Sequence, residues 1–258
     1  MSNEQFVDPY KAIPAAFAFF FFFWWVASYF LHTPILPFPW QAITQFYHDL
    51  LYNQLAIHLA ISSYRLFTAI FIGAFLAIPI GLFLGASKTK DAWSAPVIYL
   101  FYVIPKIIFF PIFLILVGIS DASKIALIAV VVFFQVLVMV RDAAREVDRR
   151  YVYSIQSLGN SSLQIFWHVF FLSSLPRIFT ALKISLGSAI AVLFLTENFA
   201  TDYGIGYYIM DGIARFNYAV VFSGILGMSL LGIFLFGLID FLETRFCPWI
   251  FLAKTKES

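Results

Sequence analysis

The sequence predicts an all-α integral membrane protein with six transmembrane helices, on three observations. Apolar residues make up 62% of the 258-residue chain and charged residues only 12%, against about 45–50% and about 25% in a soluble domain. The apolar residues gather into runs close to the roughly 20 residues that a helix needs to cross hydrocarbon. Most charges lie outside these runs, and the longest interruption is Arg141 to Gly187. The formal charge of +2 is too small to argue for nucleic acid, and the composition makes membrane lipid the surroundings.

Residues 1–11 are polar and read as a disordered or interfacial tail. Pro14 to Leu31 is the first span; only Lys11 precedes it and no small-residue cleavage site follows, so it is expected to be retained. Prolines at 34, 37 and 39 then exclude helix, and Gln41 to Tyr52 reads as a short surface helix. Ile57 to Ala86 is the second span, interrupted by Arg65 and Pro79, and Ser87 to Asp91 is a tight charged turn. Val97 to Ile119 is the third span, with Pro105, Lys106 and Pro111 in mid-stretch. Ser120 to Lys124 turns the chain into a fourth span, Ile125 to Val140. Ile178 to Leu195 and Val220 to Phe241 are the fifth and sixth. Between those two, Asn198 to Asn217 holds Gly204 and Gly206 and reads as a re-entrant or surface segment. Gly73, Gly81, Gly85, Gly187, Gly224 and Gly227 are expected to let helices approach closely, as small residues do in membranes.

Six spans put both termini on one side. Of the 16 Lys and Arg residues, all but Arg65, Lys106, Lys124 and Arg215 fall on or near that side. Cytoplasmic loops carry the excess of positive charge, so both termini and the Arg141–Gly187 loop are expected in the cytoplasm.

That loop opens with Arg141, Asp142, Arg145, Glu146, Asp148, Arg149 and Arg150, too many charges for a bilayer core. A short helix follows and stops at Gly159, a residue suited to the left-handed position after a helix. Ser161 with Gln164 forms a capping box for a second helix, whose Leu163, Phe166, Trp167 and Phe170 make an apolar face opposite Gln164 and His168. Pro176 is expected to reset the backbone before the fifth span. The pattern is a helix-turn-helix at a membrane surface.

Residues 154–187 closely resemble the cytoplasmic EAA loop of ABC-importer permeases, in the nitrate/sulfonate/taurine branch. Ser157-Leu158-Gly159 matches its Ser-Leu-Gly core and Leu175-Pro176 its Leu-Pro ending, with Arg177, Ala181-Leu182 and Gly187 following at the usual offsets. The motif's Glu-Ala-Ala positions read Tyr153-Ser154-Ile155 here, which removes any polar contact made by the Glu. The resemblance continues in His58, Ser62, Arg65, Pro79, Gly81, Gly85 and Ser87, in Pro105, Pro111, Gly118, Ser123 and Lys124, and in Glu197 with Gly204-x-Gly206. It covers about Ile57 to Phe246 and leaves the first span as an extra helix.

The resemblance implies the five-helix core of type I ABC importers plus that N-terminal helix, in a bacterial inner membrane. It also implies a dimer of this chain, two cytoplasmic ATPase subunits and a periplasmic substrate-binding protein. Tyr153, Ser157, Leu158, Gly159, Asn160, Ser161 and Pro176 would then contact the ATPase. Residues 1–52 would be accessory, and 53–258 the permease core with its coupling loop at about 144–176.

The chain is not expected to be an enzyme. Gly81 to Lys90 reads GLFLGASKTK and lacks the GxxxxGK[ST] spacing whose amides and lysine cradle phosphate. No cofactor is expected in this chain, and ATP and Mg would be held by the partner ATPases. A single cysteine, Cys247, excludes an internal disulfide and a Cys-based zinc site, and His32, His48, His58 and His168 have no ligand spacing. Lys106, Glu197 and Asp202 are the candidates for a translocation path, because ionisable groups near membrane depth point to function. For Lys106 the alternative is a lysine snorkelling to the outer headgroups; for Glu197 it is a solvated or salt-bridged interfacial residue. Arg65 reads as structural, paired to a carboxylate near the outer surface. The leading function is import of a small anionic solute. An ion-coupled secondary transporter would show inverted repeats, and none is evident. An intramembrane enzyme or assembly scaffold would want paired carboxylates or a His/Cys cluster in the spans, which lack both.

Overall fold

A computed structural model describes residues 9–159 and 161–249. All regular structure among them is helical. Five helices are long and apolar enough to cross a membrane, or six when one bent pair is taken as a single span. Helix α1 is Pro9–Leu31 and α2 is Pro39–Tyr52, which starts on a proline where no amide partner is needed. The Gln41 side chain accepts from the Phe38 amide at 2.9 Å and closes the start of α2. The second span, α3, is Leu55–Gly85, and α6, Asp121–Arg145, is the fourth. Helix α11, Tyr218–Phe246, is the last span, and Asn217 caps it by accepting from the Val220 amide.

The centre of the bundle is α3 against α6, with α9 (Leu172–Thr196) on the other flank of α6. Glycines set the closeness of the first pair. A Cβ on Gly73 would lie 2.7 Å from the Ala129 carbonyl, and one on Gly85 would overlap the Arg141 carbonyl. Gly224 makes room for Ile209 in the same way. Gly187 shows no close approach within one copy: a Cβ there would meet nothing within 4 Å among the described residues, and one on Gly227 would make only ordinary contacts.

Two further expectations are corrected, and both concern proline. The third span is broken rather than straight. Helix α4, Lys88–Val103, takes the expected charged turn as its own first turn. It stops at Ile104, which is extended, as the residue before a proline prefers. A 3₁₀ turn at Lys106–Phe109 and α5, Phe110–Val117, then continue at 76° to α4. Pro176, in contrast, breaks nothing. Helix α8 (Ser162–Ile165), a π segment (Phe166–Phe171) and α9 form one continuous helix, Ser162–Thr196, with Pro176 inside it. The π segment has already widened the ladder just upstream of the residue that lacks an amide.

Candidate functional site

The charged interruption folds into a protruding helical turn. Helix α7, Arg149–Ser157, is capped by Asp148, whose carboxylate accepts from the Arg150 amide at 2.9 Å. It ends at Leu158, and Gly159 follows with φ +79, the left-handed conformation expected of it. The capping box forms as read from the sequence: Ser161 N–H donates to Gln164 Oε1 at 2.8 Å, and Gln164 N–H to Ser161 Oγ at 3.4 Å. Tyr153, Ser157 and Ser161 are exposed, and Leu158 is 77% exposed, so an apolar side chain stands at the tip. Asn160 lies outside the described residues.

The apolar face of the second helix differs from the expected one. Ile165, Val169 and Phe170 are buried, while Leu163 and Trp167 face outward. The π segment rotates the stripe away from regular helical spacing. Pro176 is half-buried inside α9, about 22 Å along the helix from Ser161 at about 1.5 Å per residue, so the structure does not bring it to the tip. The base of the turn is pinned by Arg149, which donates to the Ala86 carbonyl at 3.1 Å, and by an Arg177–Glu146 ion pair at 2.5 Å. The hydrogen bond from Arg177 holds the Glu146 carboxyl below its usual range.

At the other end of the bundle, Glu197 is wholly buried. Its carboxylate accepts from Ser62 Oγ at 2.8 Å, Arg65 Nη1 at 2.8 Å and the Gly206 amide at 2.9 Å. Arg65 also donates to Asp121 at 2.6 Å and to the Tyr203 carbonyl at 2.8 Å. The His58 ring accepts from the Gly204 amide at 3.0 Å, and Gly204 sits at φ +124, where a Cβ would overlap the Glu197 carboxylate. Arg65 is thus the structural residue expected, with two carboxylates rather than one. Glu197 is occupied in a closed clasp joining α3, α6 and α9 to the start of α10 (Ile205–Ala214) and the segment before it. Asp202 is exposed on that segment.

Lys106 sits at the break in the third span. Its ammonium donates to the Tyr102 carbonyl at 2.6 Å, one of the acceptors that the end of α4 leaves without a partner. It lies 5.2 Å from the centre of the Phe134 ring, which is near the middle of α6. The lysine is therefore level with the middle of α6. No carboxylate of the described residues lies within 4 Å of it.

Two polar groups were missed in the sequence. Gln135, next to Phe134, donates to Ser188 Oγ of α9 at 2.8 Å, and its Oε1 is buried without a partner. The signal was present as a lone Gln within the apolar run of 125–140. Asp49 was also missed, because its partners come from distant sequence. It is buried and receives hydrogen bonds from Tyr208, Gln45 at 2.9 Å and Asn53 at 2.6 Å. Burial pushes its carboxyl up, but these hydrogen bonds outweigh it and hold the group below its usual range.

Comparison with known proteins places this architecture. Residues 69–246 match the family described as binding-protein-dependent transport system inner membrane component. The taurine transport system permease TauC of Escherichia coli (strain K12) is 31% identical over 74% of this chain and 70% of its own length. The putative aliphatic sulfonates transport permease SsuC of Bacillus subtilis (strain 168) is 29% identical over 83% of this chain and 78% of its own. In fold, the chain resembles an inward-facing structure of the MetNI methionine ABC transporter, with a TM-score of 0.58 and 20% identity over 74% of this chain and 93% of that one. These matches exclude the secondary-transporter reading. The chain belongs to the binding-protein-dependent inner membrane components, as a multi-pass ABC-importer permease of the nitrate/sulfonate/taurine branch.

Proposed function

We propose that this permease imports a small anionic solute, as a homodimer carrying two ATPase subunits on the Tyr153–Ser161 turns and receiving its solute from a binding protein at the opposite face. Both termini are then cytoplasmic, residues 1–52 are accessory, and 53–258 are the working core. One observation carries the coupling role: the tip at Leu158 leads directly into a 35-residue continuous helix, Ser162–Thr196. A displacement of the tip is transmitted along that rigid rod to the middle of the membrane, because no break absorbs it at Pro176. A second copy is favoured by the face of α9 and α11, where a Cβ on Gly187 or Gly237 would meet nothing within 4 Å among the described residues. A 670 Å³ groove lies along that face. The experiment is the mass of the purified complex, expected to contain two copies of this chain and two ATPases; one copy, or a second, different permease, would refute it.

Anion selectivity rests on Lys106, in keeping with the taurine and sulfonate permeases among the relatives. An ammonium held by one carbonyl and two aromatic faces, with no carboxylate partner among the described residues, can exchange that carbonyl for a sulfonate or similar group. A hydrogen bond to a charged group contributes about 1.5–3 kcal/mol. Lys106→Met is therefore expected to weaken transport roughly 10- to 100-fold in apparent affinity while leaving assembly intact. Uptake by reconstituted vesicles is the measurement, and undiminished uptake would remove Lys106 from the path.

A further inference from the structure

Beside the protruding turn lies a cavity of 570 Å³ between the α3–α4 junction, α7 and the start of the long helix. Its walls include Phe83, Phe166 and Phe170, and its cations are Lys90 and Arg149. The Lys90 ammonium is 3.3 Å from the centre of the Phe83 ring, and the Arg149 guanidinium 6.0 Å from that of Phe170. Neither has a carboxylate within 4 Å among the described residues. Most basic residues of this end are paired instead: Arg145, Arg150, Arg177 and Lys183 each with Asp or Glu, and so is Arg141, whose partner Asp91 adjoins Lys90; Lys88 has no such partner among the described residues but lies outside the cavity. The acidic group nearest in sequence to Lys90 is therefore already taken.

We propose that this cavity binds an anionic phospholipid, its phosphate between Lys90 and Arg149 and its acyl chain against the phenylalanines. The order of chemistry favours a lipid over a soluble anion. Phe83 belongs to the apolar span α3 and is 54% exposed, whereas Lys90 and Arg149 lie beyond the span's end. Apolar wall and cations thus meet at the span's end, as acyl chain and headgroup meet at a membrane interface. The bound lipid bridges the α3–α4 junction to α7 and so steadies the base of the turn. Aromatic faces keep the two cations in place when the site is free.

The test is native mass spectrometry of the full-length permease in detergent, titrated with phosphatidylglycerol or phosphatidylcholine. Retention of phosphatidylglycerol in preference to phosphatidylcholine is expected. Lys90→Gln with Arg149→Gln should weaken it about 30-fold, the combined effect of two basic groups near an anionic surface. Lys88→Gln with Arg245→Gln, the same charge loss outside the cavity, should leave it unchanged. Since Arg149 also holds the Ala86 carbonyl, Arg149→Lys serves as the folded control and should retain the lipid. Equal loss in both double variants would reduce the effect to surface charge and overturn the site. Displacement by inorganic phosphate alone would make a free anion the ligand, and loss of the lipid on ATPase binding would make the cavity a protein interface; either overturns the proposal. The readout is lipid retention by this chain, so it stands apart from whether the permease imports an anion.

Discussion

Leu158→Asp and Gly159→Val are each expected to leave a folded permease in the membrane that no longer couples ATP hydrolysis to transport. The folded state tolerates both for identifiable reasons. Leu158 is 77% exposed and contributes little to the core. A Cβ on Gly159 would meet nothing within 4 Å, so no packing is disturbed. What changes at Gly159 is the backbone: φ is +79 there, and an L residue in that region costs roughly 1–2 kcal/mol, more when it is β-branched. The turn relieves that strain by re-angling α7 against the long helix, which moves the tip. Leu158→Asp instead leaves the geometry and places a charge where an apolar groove is expected, the desolvation of which is unfavourable. The measurement is co-purification of the ATPase together with substrate-stimulated hydrolysis in reconstituted vesicles. Because Tyr153 stands where the resemblance would have Glu, wild-type docking should also depend only weakly on salt, since screening acts on charges. Normal coupling in both variants would mean that the ATPase binds elsewhere.

The features of this turn were legible because they are local. A glycine after a helix and a Ser161–Gln164 capping box each involve residues within a few positions of one another, and the apolar runs mark spans by composition alone. Proline shows where local reading stops. Pro105 and Pro176 look alike in the sequence, yet one ends a helix and the other lies within one. Pro176 alone is preceded by a π segment, in which Val169 and Phe170 are buried against the rest of the bundle. The same limit explains the altered apolar face of 163–170, since one extra residue per turn shifts every side chain after it. Gly187 is expected to let helices approach closely, but composition cannot say which copy a small residue faces. For Glu197 the residue type and its depth suggested a path, whereas its role depends on Arg65 and Ser62, more than 130 positions away. No window of sequence contains that pairing.

Arg65→Met is expected to produce the largest loss of stability of any single change outside the core packing. Arg65 is 2% exposed and Glu197 is not exposed at all, so deleting the guanidinium leaves a buried carboxylate with only neutral donors. Removing one member of such a pair costs about 3–5 kcal/mol, because the remaining charge is uncompensated. For a chain of this size that corresponds to a fall in melting temperature of roughly 6–20 °C, measurable by size-exclusion survival after heating in detergent. Glu197→Gln should cost less, since the amide oxygen can still accept from Ser62 Oγ or the Gly206 amide. Combining it with Arg65→Met should recover part of the loss, because no unpaired carboxylate then remains at that position. Asp121, half-exposed at 47%, remains solvated in either case and needs no rescue. The clasp and the path make opposite predictions for transport. If Glu197 only holds α3, α6 and α9 to the Gly204 segment, Glu197→Gln should transport normally at temperatures where it stays folded. A folded Glu197→Gln permease with lost uptake would place the carboxylate in the transport cycle, and an Arg65→Met permease melting within about 2 °C of wild type would show that the clasp does not hold the bundle together.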